Sequence, residues 1–147
     1  GQAWAIAENI MVMSRLKTPI VCIVIGEGGS GGALGIGVGD RVLMLQYAYY
    51  SVISPEGCAA ILWKDGERAP DAATALRLTS GDLLRFRVVD EVMPEPVGGA
   101  HRSPEEMIAA LRTRVSELLG ELATVPLDEL VERRYERLRA LGDIEGA

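Results

Sequence analysis

Half of the sixteen residues from 25 to 40, IGEGGSGGALGIGVGD, are glycine, and three chemistries compete for them. Gly26, Gly28 and Gly31 spell G-x-G-x-x-G, the turn that joins a strand to a helix N-terminus and seats a dinucleotide pyrophosphate. That site expects an acidic residue about 20 positions further on to hold the ribose. Asp40 comes too early, and residues 42–53 carry no acid. Gly28, Ser30 and Gly32 spell G-x-S-x-G, a nucleophile elbow with Ser30 as the serine of a hydrolase. Asp90 or Glu91 and then His101 follow in α/β-hydrolase order, but His101 is the single histidine and lies in a polar loop. The third reading needs no side chain. Glycine lets backbone approach a ligand closely, and successive N–H groups at a helix N-terminus form an oxyanion hole. Each such donor contributes about 3–4 kcal/mol to the stabilisation of developing negative charge. On this reading Gly28 to Gly32 clear space for a ligand, while Gly35, Gly37 and Gly39 permit close packing.

Other residues have weaker claims. Ser54, Pro55, Glu56 and Gly57 read as a helix start, with Ser54 as N-cap and Pro55 in the first turn. Tyr47, Tyr49, Tyr50, Trp4 and Trp63 are expected to pack with polar tips at a wet rim. Arg133, Arg134, Arg137 and Arg139 alternate with acids, as on a solvated helix face. Cys22 and Cys58 sit in apolar runs and read as small core residues, not as a disulfide or metal ligands.

The elements that must position the tract follow from periodicity. A helix from Gln2 is stopped by Thr18 and Pro19. Residues 20–25, IVCIVI, read as a strand buried on both faces. A helix of small residues is expected over 31–38, strands over 41–45 and 49–53, and helices from Ser54, over 68–78 and near Gly81. A strand in VVDEVMPEP precedes two closing helices. The first is N-capped by Ser103 with Glu106 completing a capping box, and the second runs over about 127–141. Alternating strands and helices make the class α/β. No internal repeat shows in the sequence.

The 147 residues suit one domain. With 48% hydrophobic and 24% charged residues, disorder is excluded. A net charge of −6 argues against nucleic acid or an anionic membrane as partner. No apolar run nears the roughly 20 residues that span a bilayer, so a cytoplasmic setting is expected. The chain opens on Gly1, already inside a helical pattern without a capping residue, so a preceding portion is expected.

The words VIGEGGSGGALGIGVGDRV, MLQYAYYSVISPEGCAAILWK, PEPVGGAHRSPE and ERRYERL together resemble the carboxyltransferase α subunit of bacterial acetyl-CoA carboxylase, in order and over almost the whole chain. The resemblance implies a crotonase-like fold, a superhelix of ββα turns. Residues 1–147 would form the C-terminal part of one carboxyltransferase domain, with a helical extension over about 103–142. It implies transfer of a carboxyl group from carboxybiotin to acetyl-CoA, giving malonyl-CoA for fatty acid synthesis. Gly31 and Gly32 would be the paired N–H donors to the biotin ureido oxygen. Gly28, Gly29 and Ser30 would line the cofactor, and Ser54, Pro55, Glu56 and Gly57 would wall the substrate site. The freed biotin would take the methyl proton, so no catalytic His or Cys is needed. The implied partners are a β subunit with a zinc ribbon in an α₂β₂ assembly, biotin carboxyl carrier protein and biotin carboxylase. The family's α subunit is longer. The resemblance therefore implies that this chain holds half of the biotin site, is inactive alone, and exposes apolar surface that favours self-association.

Overall fold

A computed structural model describes residues 1–142. Its order follows the alternation read above, with one strand that the sequence conceals. Helix α1, Gln2–Arg15, leads to strand β1, Val21–Val24. The glycine tract then supplies a second strand, β2, Glu27–Gly29, before helix α2, Ser30–Ile36. The next turn repeats the pattern with β3 (Arg41–Leu45), β4 (Tyr49–Ser51) and α3 (Pro55–Trp63). Two ββα units are thus related in space, although their sequences show no repeat. The first strand of each joins one parallel sheet, ordered β1-β3-β5, where β5 is Glu91–Met93. The second strand of each joins another, in which β2 pairs β4 in parallel.

β3 is the middle strand, and Val42, Leu43, Met44 and Leu45 are all buried, as a parallel strand covered on both faces requires. Leu83 and Val89 close one part of this core, and Met107 and Leu118 of α6, Pro104–Ala123, close another. Ile108 of the same helix is exposed. The stretch 68–78 divides into a 3₁₀ turn, Gly66–Arg68, and helix α4, Ala69–Leu76. Helix α5 covers Ser80–Arg85, and α7 covers Leu127–Arg139.

Three helix starts test the capping rule within one molecule. Ser54 and Thr79 have extended backbones, ψ 151° and 155°, and their hydroxyls accept the N–H of Gly57 and Asp82. Ser103 sits at φ −135°, ψ 64°, and its side chain caps nothing. The expected capping box with Glu106 is therefore not formed: the hydroxyl is aimed wrongly, whatever the residue spacing.

The arginines of α7 correct a second expectation. Arg134 is fully buried, not solvated. Its Nε and Nη2 donate to the two oxygens of Asp40 at 2.9 Å each. Nη1 donates to Met13 and Leu16 carbonyls, and Nη2 also to that of Thr18. Arg137 donates from Nε to both Asp90 oxygens at 3.1 Å and from Nη2 to Val88 O. Arg133 does lie on an exposed face, paired with Glu129.

Candidate active site

The tract's glycines divide by what a side chain would strike. A Cβ on Gly35 would lie 3.3 Å from Ile6 and Ile10 of α1, and one on Gly39 2.7 Å from Cys22 Sγ. On Gly37 it would overlap the Tyr50 hydroxyl. These three permit close packing, as expected. Gly28 is also tight: its Cβ would stand 2.7 Å from the Tyr50 ring and 3.0 Å from Val24. At Gly26, Gly29 and Gly31 nothing lies within 4 Å, and at Gly32 only Ser30 Oγ, at 4.0 Å. Apart from Gly26, which precedes β2, the open positions are those at the start of α2.

The entry into α2 is sharply turned. Gly29 is extended, at φ −120° and ψ 155°, and Ser30 follows at φ +69°. A left-handed serine is costly and persists where the surroundings hold it. No side chain caps α2. The first N–H groups of a helix have no intrahelical acceptor, so those of Gly31 and Gly32 are free to meet a ligand. The other end of α2 is fastened. Tyr50 Oη donates to Ala33 O at 3.0 Å, and Cys22 Sγ to Ile36 O at 3.0 Å. Tyr50 is therefore buried, not at a wet rim as expected, and burial pushes both its phenol and the Cys22 thiol above their ordinary pKa values. Tyr47 and Trp4 are exposed, and Trp63 lies under the Arg68 guanidinium at 4.2 Å. Cys22 is buried and Cys58 half-buried, both as free thiols.

A cavity of about 270 Å³ opens between β1, β2 and α2, lined by Ile23, Val24, Gly26, Gly28, Ala33 and Ile36 among others. Its walls are mainly apolar, and Glu27 stands at its edge. Glu27 pairs in register with Tyr49 of β4. Desolvation, followed by the charges of Glu27 and Glu56, raises the Tyr49 phenol above its ordinary range. Glu56 lies in the first turn of α3. Ser54, Pro55 and Gly57 stand with it at the start of that helix, three to six residues beyond Ser51, the register partner of Gly29.

The two motif readings lose their geometry. A dinucleotide fingerprint needs the strand to turn straight into the helix. Here Gly28 lies inside β2, between β1 and α2, so Gly26, Gly28 and Gly31 do not form one turn. A hydrolase needs Ser30, an acid and His101 together. Asp90 precedes β5, at the end of the parallel sheet opposite to Ser30, and is held by Arg137 and the Val42 N–H. Glu91 is held by Arg114. His101 sits in an exposed 3₁₀ turn, Ala100–Arg102. Among the described residues no cluster of His, Cys, Asp and Glu is arranged to hold a metal, and no helix is long and apolar enough to cross a membrane.

What sequence reasoning missed was β2 and the buried Arg134. The latter had a signal: Leu130, Arg134 and Leu138 recur at four-residue spacing, which puts the arginine on the apolar stripe of α7.

Known proteins share this fold. The Pseudomonas malonate decarboxylase hetero-tetramer solved with coenzyme A superposes with a TM-score of 0.67 at 17% identity, over 96% of this chain and 59% of that one. A monofunctional enoyl-CoA isomerase from M. smegmatis gives 0.58 at 17% identity, over 96% and 65%. Both likenesses concern the fold, which is crotonase-like. By sequence, the acetyl-coenzyme A carboxylase carboxyl transferase subunit alpha of Rhodopirellula baltica is 63% identical over 142 residues, 97% of this chain and 44% of the relative. That of Thioalkalivibrio sulfidiphilus is 59% identical, over 97% and 45%. The chain thus spans less than half the length of these curated relatives. A model of the acetyl co-enzyme A carboxylase carboxyltransferase-like family matches residues 1–142, and the chain belongs to that family.

Proposed function

We propose that this chain supplies the α side of a biotin-dependent carboxyltransferase that converts acetyl-CoA to malonyl-CoA. The observation that carries the reading is the start of α2: two adjacent glycines, uncapped, with open space where side chains would stand. Backbone of this kind fits a ureido oxygen, since a Cβ at either position would occupy the ligand's side of the helix. Gly31 and Gly32 donate their N–H groups to that oxygen, where negative charge grows as the carboxyl group leaves. The positive end of α2 adds to the same field. Gly29 and Ser30 shape the approach, and Gly28 fixes β2 against Tyr50 so that the approach stays open. Ser54, Pro55, Glu56 and Gly57 form the wall on the α3 side. Carboxybiotin, when bound, supplies the carboxyl group that ends on the acetyl methyl carbon and the ureido nitrogen that ends with the methyl proton. No histidine or cysteine of the chain takes part.

The reading places the chain in a cytoplasmic assembly with a zinc-ribbon β subunit, arranged α₂β₂, and with biotin carboxyl carrier protein and biotin carboxylase. On this reading the separate β subunit handles acetyl-CoA. The test follows malonyl-CoA decarboxylation with biocytin as acceptor, using a full-length α subunit that carries this sequence together with its β subunit. Gly31→Pro and Gly32→Pro each delete one N–H and are expected to lower the rate about 10²–10³-fold. An unchanged rate, with the circular dichroism of the parent, overturns the assignment.

A further inference from the structure

We infer that Arg134, which grips Asp40 at the end of the glycine tract, is a positioning residue that sets the aim of α2. The inference rests on the reading of Gly31 and Gly32 as donors, because it gives that aim a purpose. All five N–H donors of the guanidinium are used, and none reaches solvent. Two of its acceptors are the carbonyls of Met13 and Leu16, at the C-terminal end of α1. A third is Thr18 O, in the link to β1. The remaining two are the oxygens of Asp40.

Both groups of contacts lead to α2. α1 buries no residue of its own completely, so its contacts with α2 and α7 are what hold it. Lys17, just past α1, pairs with Asp128 of α7, but both side chains are exposed, and exposed pairs contribute little. Yet Ile6 and Ile10 of α1 form the seat on which Gly35 rests, in the middle of α2. Asp40, for its part, ends the short link of Gly37, Val38 and Gly39 that leaves α2. One buried cation therefore holds the helix under α2 and the segment behind it. Shared acceptors make this a junction: Asp40 Oδ2 also takes the Ile20 N–H at 2.7 Å, so α1, β1, β3 and α7 meet there. A lysine keeps the charge but offers three donors from one point, and cannot serve five acceptors spread around a plane.

The test is amide NMR of the chain, whose glycine signals form a separate group. Arg134→Lys is expected to shift Gly31, Gly32 and Gly35 while Gly57, Gly66 and Gly81, on and beyond α3, keep their positions. Asp40→Asn weakens the same clamp and leaves an acceptor for Ile20; it is expected to move the same three signals less. Ile10→Ala leaves the Arg134 network intact and loosens the seat; it too is expected to move them. If the lysine variant does not fold, the asparagine and alanine variants carry the test. The inference is overturned if the α2 glycines stay in place in every folded variant of Arg134 or Asp40, whatever Ile10→Ala does, or if all glycine signals shift alike. These signals report the aim of α2 whether or not the assembly transfers carboxyl groups. A failure here is thereby distinct from a failure of Gly32→Pro to slow the reaction.

Discussion

The two ends of one parallel sheet are built in opposite ways. Where β3 and β5 begin, Asp40 and Asp90 repeat a single arrangement. The carboxylate accepts the N–H of the neighbouring strand's residue, Ile20 or Val42, while the aspartate's own N–H donates back to that residue's carbonyl. An arginine of α7 then grips each carboxylate. Beyond the end of β1, by contrast, Ile25 and Ile36 are 69% and 68% exposed, Ser30 is left-handed, and the first N–H groups of α2 have no cap. On the proposed reading, the left-handed Ser30 and the uncapped donors of α2 stand at the ligand's end. They are tolerated because the far end over-determines the backbone.

The largest effect is expected at the clamped end. Arg134→Met leaves Asp40 buried without a cation and three carbonyls without donors. It is expected to cost about 3–5 kcal/mol in urea denaturation, the range for breaking a buried pair. A loss below about 1 kcal/mol would erase the contrast between the ends. An intermediate effect is expected inside the open end, at Gly28. Gly28→Ala drives a methyl into Tyr50 and Val24 and is expected to cost about 1–3 kcal/mol. Gly29→Ala, one residue on, meets nothing within 4 Å and is expected to change stability by less than about 0.5 kcal/mol while slowing carboxyl transfer. Equal costs for the two would mean that the tract is packed throughout.

A further effect separates the ends by pH. Cys22 and Tyr50, which fasten α2, hold their protons more tightly folded than unfolded. Their contribution is complete below the ordinary thiol value of 9.0 and falls as pH rises past it, because only the unfolded chain then releases the proton. Tyr50→Phe removes the bond to Ala33 O, at a cost of about 1 kcal/mol, and is expected to flatten the alkaline fall. An unchanged alkaline profile in Cys22→Ala and Tyr50→Phe together would move that sensitivity elsewhere.

Much of the fold was legible because it rests on local pattern. IVCIVI and VLML are apolar runs, and both became strands, but only the central one is buried throughout, from Val42 to Leu45; β1, at the sheet's edge, is buried at Cys22 and half-buried at Val21, Ile23 and Val24, not covered on both faces as expected. Ser54 with Pro55 announced α3 at the right residue. β2 was hidden because Glu27, Gly28 and Gly29 have no strand propensity; pairing with Tyr49, Tyr50 and Ser51 imposes it. Tyr50 looked amphipathic and proved buried because its hydroxyl finds Ala33 O, a partner no spacing rule reveals. Arg134 was hidden for a similar reason. Its acid neighbours in sequence imply solvent, and its true partner, Asp40, lies 94 residues away. The site was legible only as composition. Which glycines face open space depends on what packs beside them.

Arg134 and Arg137 stand three residues apart on α7, and the aspartates they hold begin adjacent strands. Three residues of helix advance about 4.5 Å. Neighbouring strands lie about 4.8 Å apart. The helix therefore works as a gauge laid across the sheet, its rise matched to the strand spacing. A single residue inserted between Arg134 and Arg137 would rotate one guanidinium about 100° around the axis and spoil the match, with every side chain still present. Composition would be almost unchanged and the measure lost, which makes that insertion a harsher change than most substitutions on the same helix.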